Sequence, residues 1–369
     1  MAAPLKVHLI AGARPNFMKV APLWHALART TWCAPALVHT GQHYDDALSG
    51  RLLEELGLPH PHHALGVGSG SHAEQTAKVM IGYERVLEEA PADLAVVVGD
   101  VNSTLAAALV AVKRGVAVAH LEAGLRSGDR AMPEEINRIV TDSVADILWT
   151  PSPDGDENLV REGVSKTRIT RVGNIMIDAF ELMRPRIAAD ETVRHLRLAE
   201  GRYGVVTLHR PSNVDDVAQL TAIVDALCRI AQELPLVFPA HPRTRAQLAQ
   251  AKLDDRLVGG GVTLIDPLGY VGFMRLVTGS RIVVTDSGGV QEETSYLGIP
   301  CLTLRATTER PITVTHGTNR LVAADTLLAA MASAAPRRRP SAIPLWDGAT
   351  ASRVVADIAH RFAVGRHAA

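Results

Sequence analysis

The chain has 369 residues, 47% of them hydrophobic, which is long for one core and predicts two domains. Its 38 lysines and arginines against 39 aspartates and glutamates give a formal charge of −1, so no global field favours nucleic acid or an anionic membrane, and an anionic ligand must be met by local donors. Three cysteines, Cys33, Cys228 and Cys301, lie far apart in apolar neighbourhoods and predict reduced core thiols in a cytoplasmic protein, with neither a disulfide framework nor a zinc site.

Apolar runs at 7–10, 36–38, 94–98, 116–119 and 147–149 alternate with helical spacing near 17–29, 45–56, 72–89, 103–114 and 134–144. Continuous apolar strands bounded by helices predict a parallel sheet covered on both faces. The rhythm restarts after Gly173-Asn174, with runs at 205–208, 236–238, 262–265, 282–284 and 300–303. The fold class is therefore α/β with two doubly wound, Rossmann-like domains, at 1–173 and 174–349. Residues 175–194 read as helical and suit either side of that boundary, and a final helix at 350–369 is free to pack back onto the first domain. The most apolar stretch, 105–121, is broken by Lys113 and Arg114, so no membrane span is expected. Residues 7–11 are too short for a signal-peptide core and are followed at once by Arg14 and Lys19. Arg337-Arg338-Arg339 is flanked by Pro336 and Pro340 and has no aromatic partners, which reads as a solvated loop rather than a nucleic-acid patch.

Doubly wound sheets bind ligands beyond the carboxyl ends of their strands. The first strand runs into Gly12-Ala13-Arg14-Pro15-Asn16 and a helix carrying Lys19, which brings two cations suited to a diphosphate to that rim. Two further strands end in Gly99-Asp100 and His120-Leu121-Glu122, and Pro133-Glu134-Glu135 opens a helix with a third carboxylate. In the second half Thr207-Leu208-His209-Arg210 and Pro239-Ala240-His241-Pro242 end strands with titratable groups. Thr285-Asp286-Ser287-Gly288-Gly289 follows an apolar run and opens a helix. Free backbone N–H groups there, with glycines to admit a ligand and the Ser287 hydroxyl to add a donor, form a phosphate cradle, and Glu293 is placed to accept from a ribose.

Other patterns carry less chemistry. His60, His62, His63 and His72 lack helical i, i+4 spacing, and Gly66 to Gly70 does not fit G-x-G-x-x-G, so neither a metal site nor a dinucleotide site is expected. Walker loops and G-x-S-x-G elbows are absent from the sequence.

Taken together, Gly12-Ala-Arg-Pro, Thr40-Gly-Gln-His, Gly99-Asp-Val-Asn-Ser-Thr, His120-Leu-Glu-Ala-Gly-Leu-Arg, Met132-Pro-Glu-Glu-Ile-Asn-Arg, Thr285-Asp-Ser-Gly-Gly-Val-Gln-Glu-Glu and Thr308-Glu-Arg-Pro make the chain similar to the non-hydrolysing UDP-N-acetylglucosamine 2-epimerases. The resemblance runs in order from residue 8 to about 325, and it extends to the Trp346-Asp-Gly helix. It implies a glycosyltransferase-B type fold, a UDP-sugar held in a cleft between the domains, no cofactor, and a homodimer. By motif it makes Asp100, Glu122, Glu134 and His209 the catalytic group. Arg14, Lys19, Ser287, Gly288, Gly289, Glu293 and Arg310 would bind the nucleotide diphosphate, Phe273 would lie by the uracil, and His241 would face the cleft. The implied chemistry is elimination of UDP to 2-acetamidoglucal and its re-addition, with one carboxylate accepting the C2 proton and another group returning one to the opposite face. Which of the three carboxylates is the base stays open.

Rival readings are a C2 epimerase of a UDP-2,3-diacetamido sugar, a hydrolysing epimerase releasing N-acetylmannosamine, a glycosyltransferase of the same fold, and a non-catalytic nucleotide-sugar sensor. Relative to better-known bacterial members, the stretch from Asp129 to Pro133 is short and Gln42-His43 continues as Tyr44-Asp45-Asp46. Those regions contribute to an allosteric substrate site in some relatives, so substrate activation is expected to be weak or absent.

Overall fold

The computed structural model describes residues 3–41, 46–334 and 343–365, excepting the side chains of Arg14, 46–49, Arg51 and 363–365. The expectations attached to Gln42–Asp45, to the arginine run at 337–339 and to the end of the last helix at 366–369 lie outside the described residues, as does that for the Arg14 side chain.

Contacts divide the chain into two compact units, Met1–Leu182 with Pro344–Ala369, and Met183–Ile343. The division falls inside the helix Ile175–Ala189 rather than at 173. Hydrogen bonding supplies the reason: Asp178 accepts from the amides of Thr350 (3.1 Å) and Ala351 (2.8 Å), so the first half of that helix caps the chain's last one. The last helix, Thr350–Gly365, is fastened to the first unit at several further points. Trp149 Nε1 donates to Asp357 at 2.8 Å, and Arg353 donates to the Val172 carbonyl at 2.9 Å.

The first unit has seven strands: β1 (Leu5–Ala11), β2 (Cys33–His39), β3 (His63–Ala64), β4 (Leu94–Val98), β5 (Ala117–Leu121), β6 (Ile147–Thr150) and β7 (Ile169–Arg171). They pair in parallel in the order β3-β2-β1-β4-β5-β6-β7. The second unit has β8 (Gly204–Thr207), β9 (Leu236–Pro239), β10 (Val262–Ile265), β11 (Ile282–Thr285), β12 (Cys301–Leu304) and β13 (Asn319–Val322), in the order β10-β9-β8-β11-β12-β13. Both orders reverse direction once, between β1 and β4 and between β8 and β11, and such a reversal opens a crevice at the carboxyl ends of those strands.

Helices on both faces explain why the central strands read as unbroken apolar runs: β4, β11 and β12 are buried along their whole lengths. Alanine at 106, 107, 108 and 111 lets the helix Asn102–Lys113 lie close on the first sheet, and all four are buried. Short edge strands β3, β7 and β13 escape a search for apolar runs because they have too few buried positions to make one.

Candidate active site

In the first unit the crevice is built around Gly99, at the end of β4. Its φ of +69° is accessible to glycine, and a Cβ there would lie 2.9 Å from Lys19 Nζ, 3.5 Å from Asn16 Nδ2 and 3.6 Å from Glu122 Oε2. Two segments, the helix Arg14–Ala28 and the turn after β5, thus converge on one glycine. Asn16 fixes the first of them: its Oδ1 accepts from the amides of Gly12 (3.1 Å) and Ala13 (2.8 Å), and its Nδ2 donates to the Val98 carbonyl at 3.1 Å. The turn after β1 is thereby tied to the end of β4. Gly12 has no room for a side chain, since a Cβ would meet Ser103 Oγ at 2.5 Å.

Glu122 follows β5 in the left-handed region at φ 73°, a conformation costing an ordinary residue roughly 1–2 kcal/mol. It is 4% exposed. Its Oε2 pairs with the Lys19 ammonium, while its Oε1 is buried without a hydrogen-bond partner. The amides of Glu122 and Ala123 both donate to the Trp149 carbonyl, a bulge that turns the Glu122 side chain off the strand.

Beneath this turn Asp142 accepts from His120 Nδ1 (2.6 Å), from the Gly124 amide (3.0 Å) and from Arg126 (2.8 Å). Burial alone would raise the Asp142 carboxyl, but the His120 ring, the Arg126 guanidinium and the Gly124 amide hold it below its usual range. His120 Nε2 faces the Gly99 carbonyl at 2.8 Å, so the same ring braces both strand ends.

Asp100 points the other way and pairs with Arg138 Nη2 at 2.5 Å. Arg138 is itself set by Glu135 at 2.7 Å, and Glu135 also accepts from the amides of Ser127 (3.0 Å) and Gly128 (2.9 Å). Of the two acids opening the helix Pro133–Val144, Glu135 is buried and structural. Glu134 is half-buried, and among the described residues it makes no side-chain hydrogen bond or ion pair.

In the second unit the register Thr207↔Thr285 sets the ends of β8 and β11 side by side. Asp286 is completely buried and accepts from His209 Nδ1 (2.9 Å), the His209 and Arg210 amides (3.1 and 2.9 Å) and Asn213 Nδ2 (3.1 Å). Ser287 caps the helix Gly288–Leu297. A Cβ on Gly288 would collide with Arg310 Nη1 and Glu309 Oε1, both at 2.7 Å, whereas one on Gly289 would enter open space. Arg310 is held by Glu292 (2.7 Å) and Glu309 (2.6 Å), and Glu309 also pairs with Arg305 at 2.8 Å. Despite burial, those two guanidiniums keep Glu309 far below the usual carboxylate range. Glu293, on the same helix, is 4% exposed and accepts from the Tyr270 hydroxyl at 2.8 Å. Burial pushes its pKa up to about 8 against that hydrogen bond.

A family model described as UDP-N-acetylglucosamine 2-epimerase matches residues 25–359. The chain belongs to that family. This epimerase, an isomerase of the non-hydrolysing type, is 40% identical over 362 residues to the UDP-N-acetylglucosamine 2-epimerase of Methanocaldococcus jannaschii, covering 95% of this chain and 98% of the relative. It is also 40% identical over 323 residues to the UDP-2,3-diacetamido-2,3-dideoxy-D-glucuronate 2-epimerase of Pseudomonas aeruginosa, covering 87% of this chain and 89% of the relative. The solved M. jannaschii enzyme in complex with UDP-GlcNAc and UDP superposes with a TM-score of 0.87 at 39% identity, over 96% of this chain and 100% of that one. The architecture is accordingly α/β of the glycosyltransferase-B type.

The residues singled out from the epimerase's sequence fall into two groups, one in each unit. Lys19, Asp100, Glu122 and Glu134 belong to the first, and Lys19, read as a diphosphate cation, pairs with Glu122. His209, Ser287, Gly288, Gly289, Glu293 and Arg310 belong to the second. Phe273 is half-buried in the first turn of the helix Tyr270–Gly279, close in sequence to Tyr270. His241 is exposed and caps the helix Pro242–Gln250 through the Arg243 amide at 3.3 Å, a role that any strand-to-helix turn can ask of it. Sequence reasoning passed over Asn16, Asp142, Arg138, Asp286 and Tyr270, whose importance lies in partners distant along the chain.

The histidines noted at 62, 63 and 72 take up local positions. His62 accepts from the Leu37 amide at 3.1 Å, the His63 ring lies 5.8 Å from that of His8, and His72 Nδ1 lies 3.1 Å from the Asn102 amide nitrogen. Among the described residues no cluster of three metal-ligating side chains occurs, and no helix is long and apolar enough to cross a membrane.

Proposed function

We propose that this epimerase interconverts UDP-N-acetylglucosamine and UDP-N-acetylmannosamine by eliminating and re-adding UDP through 2-acetamidoglucal. The observation that carries this reading is Glu122: a desolvated carboxylate, neutralised on one oxygen by Lys19, whose other oxygen has no partner. An unsolvated oxygen of this kind is suited to taking a proton from a weak carbon acid. In the proposed reaction Glu122 accepts the C2 proton as the bond from C1 to the phosphate oxygen breaks, and the electron pair leaves with UDP. Asp100 and Glu134 are the acids available to return a proton to the opposite face of C2, after which the phosphate oxygen re-attacks C1.

The second unit handles the leaving group. Backbone N–H groups at Gly288 and Gly289, with the Ser287 hydroxyl and the Arg310 guanidinium beside them, stabilise the departing diphosphate. Glu293 receives the ribose hydroxyls, Phe273 flanks the uracil, and Arg14 adds a cation. This reading keeps each group on the chemistry that its type and placement suit.

A second reading has one specific support: the P. aeruginosa relative, named for a UDP-2,3-diacetamido-glucuronate, is as similar as the M. jannaschii one. The deciding experiment incubates the purified protein in deuterated water with each nucleotide sugar and follows proton NMR. UDP-N-acetylmannosamine carrying deuterium at C2 supports the proposal. Turnover of the diacetamido substrate alone supports the second reading. Free N-acetylmannosamine, or no C2 exchange with either sugar, overturns both.

A further inference from the structure

Asp286 has no assigned role, yet it is the best-connected carboxylate of the second unit. It is completely buried, and its Oδ1 faces His209 Nδ1 at 2.9 Å. Its Oδ2 is occupied separately, by the Arg210 amide at 2.9 Å and by Asn213 Nδ2 at 3.1 Å. Its own carbonyl accepts from Arg210 Nε at 3.1 Å. Asn213 also donates to the Leu304 carbonyl at 2.9 Å, which fixes the turn against β12 as well. Burial by itself would favour the neutral acid, but the His209, Arg210 and Asn213 donors outweigh it and hold the group ionised.

An ionised carboxylate only accepts, so the proton on Nδ1 of His209 stays where it is. The other ring nitrogen makes no hydrogen bond within the described residues, and the side chain is 46% exposed. Nε2 is thus the atom on which a proton can be gained, lost or shared. Asp286 also immediately precedes Ser287, the cap of the helix whose glycines form the phosphate cradle. One residue therefore joins the imidazole to the turn beside it, across the β8 and β11 strand ends.

We propose that Asp286 is a positioning residue: it holds the Nδ1–H of His209 in fixed register with the glycine turn, so that a second proton, taken from solvent onto Nε2, makes the imidazolium that meets the oxygen of the departing diphosphate. When the bond to C1 breaks, the electron pair moves onto that oxygen, which accepts the hydrogen bond from protonated Nε2. Re-addition of the same oxygen to C1 leaves the proton on Nε2, so the cycle closes without an outside donor. The inference rests on the UDP elimination proposed above and on the place in the catalytic group that the family resemblance gives His209.

The test begins with the unsubstituted protein, uniformly 15N-labelled at histidine, with the His209 signals assigned by their loss in His209→Asn. The expected spectrum has a protonated Nδ1 at every pH at which the protein stays folded. A neutral His209 carrying its proton on Nε2 overturns the proposal, whether or not the protein is an epimerase. In Asp286→Asn the amide nitrogen replaces Oδ1 and turns a donor toward Nδ1, so the ring should keep a single proton, on Nε2, and lose the imidazolium charge. Turnover should then fall roughly 10²- to 10⁴-fold, as when the acid partner of a catalytic histidine becomes an amide, with UDP affinity changed by less than about threefold. A merely structural role would instead lower UDP affinity and turnover together. In the double variant Asp286→Asn with His209→Asn, the loss should match that of His209→Asn alone. Additive losses, or Asp286→Asn turning over within about threefold of the parent, overturn the proposal. If the parent shows no epimerisation at all, the functional reading fails, while the tautomer measurement still decides the geometry.

Discussion

Lys19 and Glu122, 103 residues apart in sequence, meet beside Gly99, and the Glu122 oxygen that Lys19 leaves free is buried without a partner. The arrangement places a charge where solvent cannot compete for it, and it makes each partner depend on the other.

Glu122→Gln removes the proposed base and Asp100→Asn a proposed acid, with little change in shape. Steady-state assays should show kcat lower by roughly 10²- to 10⁴-fold with modest change in KM. Near-normal turnover in either variant would remove that residue from the chemistry.

Lys19→Met should destabilise the protein by about 3–5 kcal/mol, because it strands a buried carboxylate. Adding Glu122→Gln to the same chain should recover part of the loss, since an amide carries no charge to strand. Urea midpoints of the two single variants and the double variant measure this, and an additive result would mean that the pair is not coupled in solution.

Gly289→Ala and Gly288→Ala should behave oppositely despite being neighbours. At 289 the new methyl enters open space on a helical residue, so folding stability should hold or rise by about 0.4–1 kcal/mol. UDP affinity should nevertheless fall by at least about tenfold, because the methyl would take the place proposed for a phosphate oxygen. At 288 it would strike Arg310 and Glu309, and the thermal midpoint should drop. Calorimetric melting and UDP titration separate the two effects.

Glu293 gives the ligand-free protein an unusual pH response. Its carboxyl ionises near 4.5 in the unfolded chain and at about 8 in the folded one. Between those values the native state holds a proton that the unfolded state has lost, so this group's contribution to stability is complete below about pH 4.5 and disappears as pH rises through about 8. Glu293→Gln should flatten that slope, leaving the variant less sensitive than the parent between pH 5 and 8 by on the order of a few kcal/mol. Unfolding curves across that range that coincide in slope for both proteins would contradict the assignment.

Much of the candidate site was legible because parallel sheets concentrate function at strand ends. Asp100, Glu122 and His209 each follow an apolar run directly, and Ser287-Gly288-Gly289 sits where a strand hands over to a helix. Local pattern could not reveal through-space partners. Nothing near Lys19 in sequence announces Glu122, and Asp286 reads as part of a glycine motif until β8 is set beside β11. Glu134 and Glu135 are indistinguishable by type, and only the fold turns Glu135 inward onto Arg138. From the sequence the helix Ile175–Ala189 suits either domain, because the residues that claim its first half, Thr350 and Ala351, lie at the other end of the chain.

The turn that carries Glu122 has a dynamic consequence. Both its amide and that of Ala123 are committed to Trp149, the Gly124 amide to Asp142, and a Cβ on Gly124 would sit 2.3 Å from the Gly155 carbonyl. With every neighbour occupied, these amides should exchange with deuterium as slowly as the sheet interior, by whole-unit opening rather than by loop fluctuation. The proposed base is then rooted in the least mobile part of its unit, and side-chain torsion is the freedom left to it during turnover.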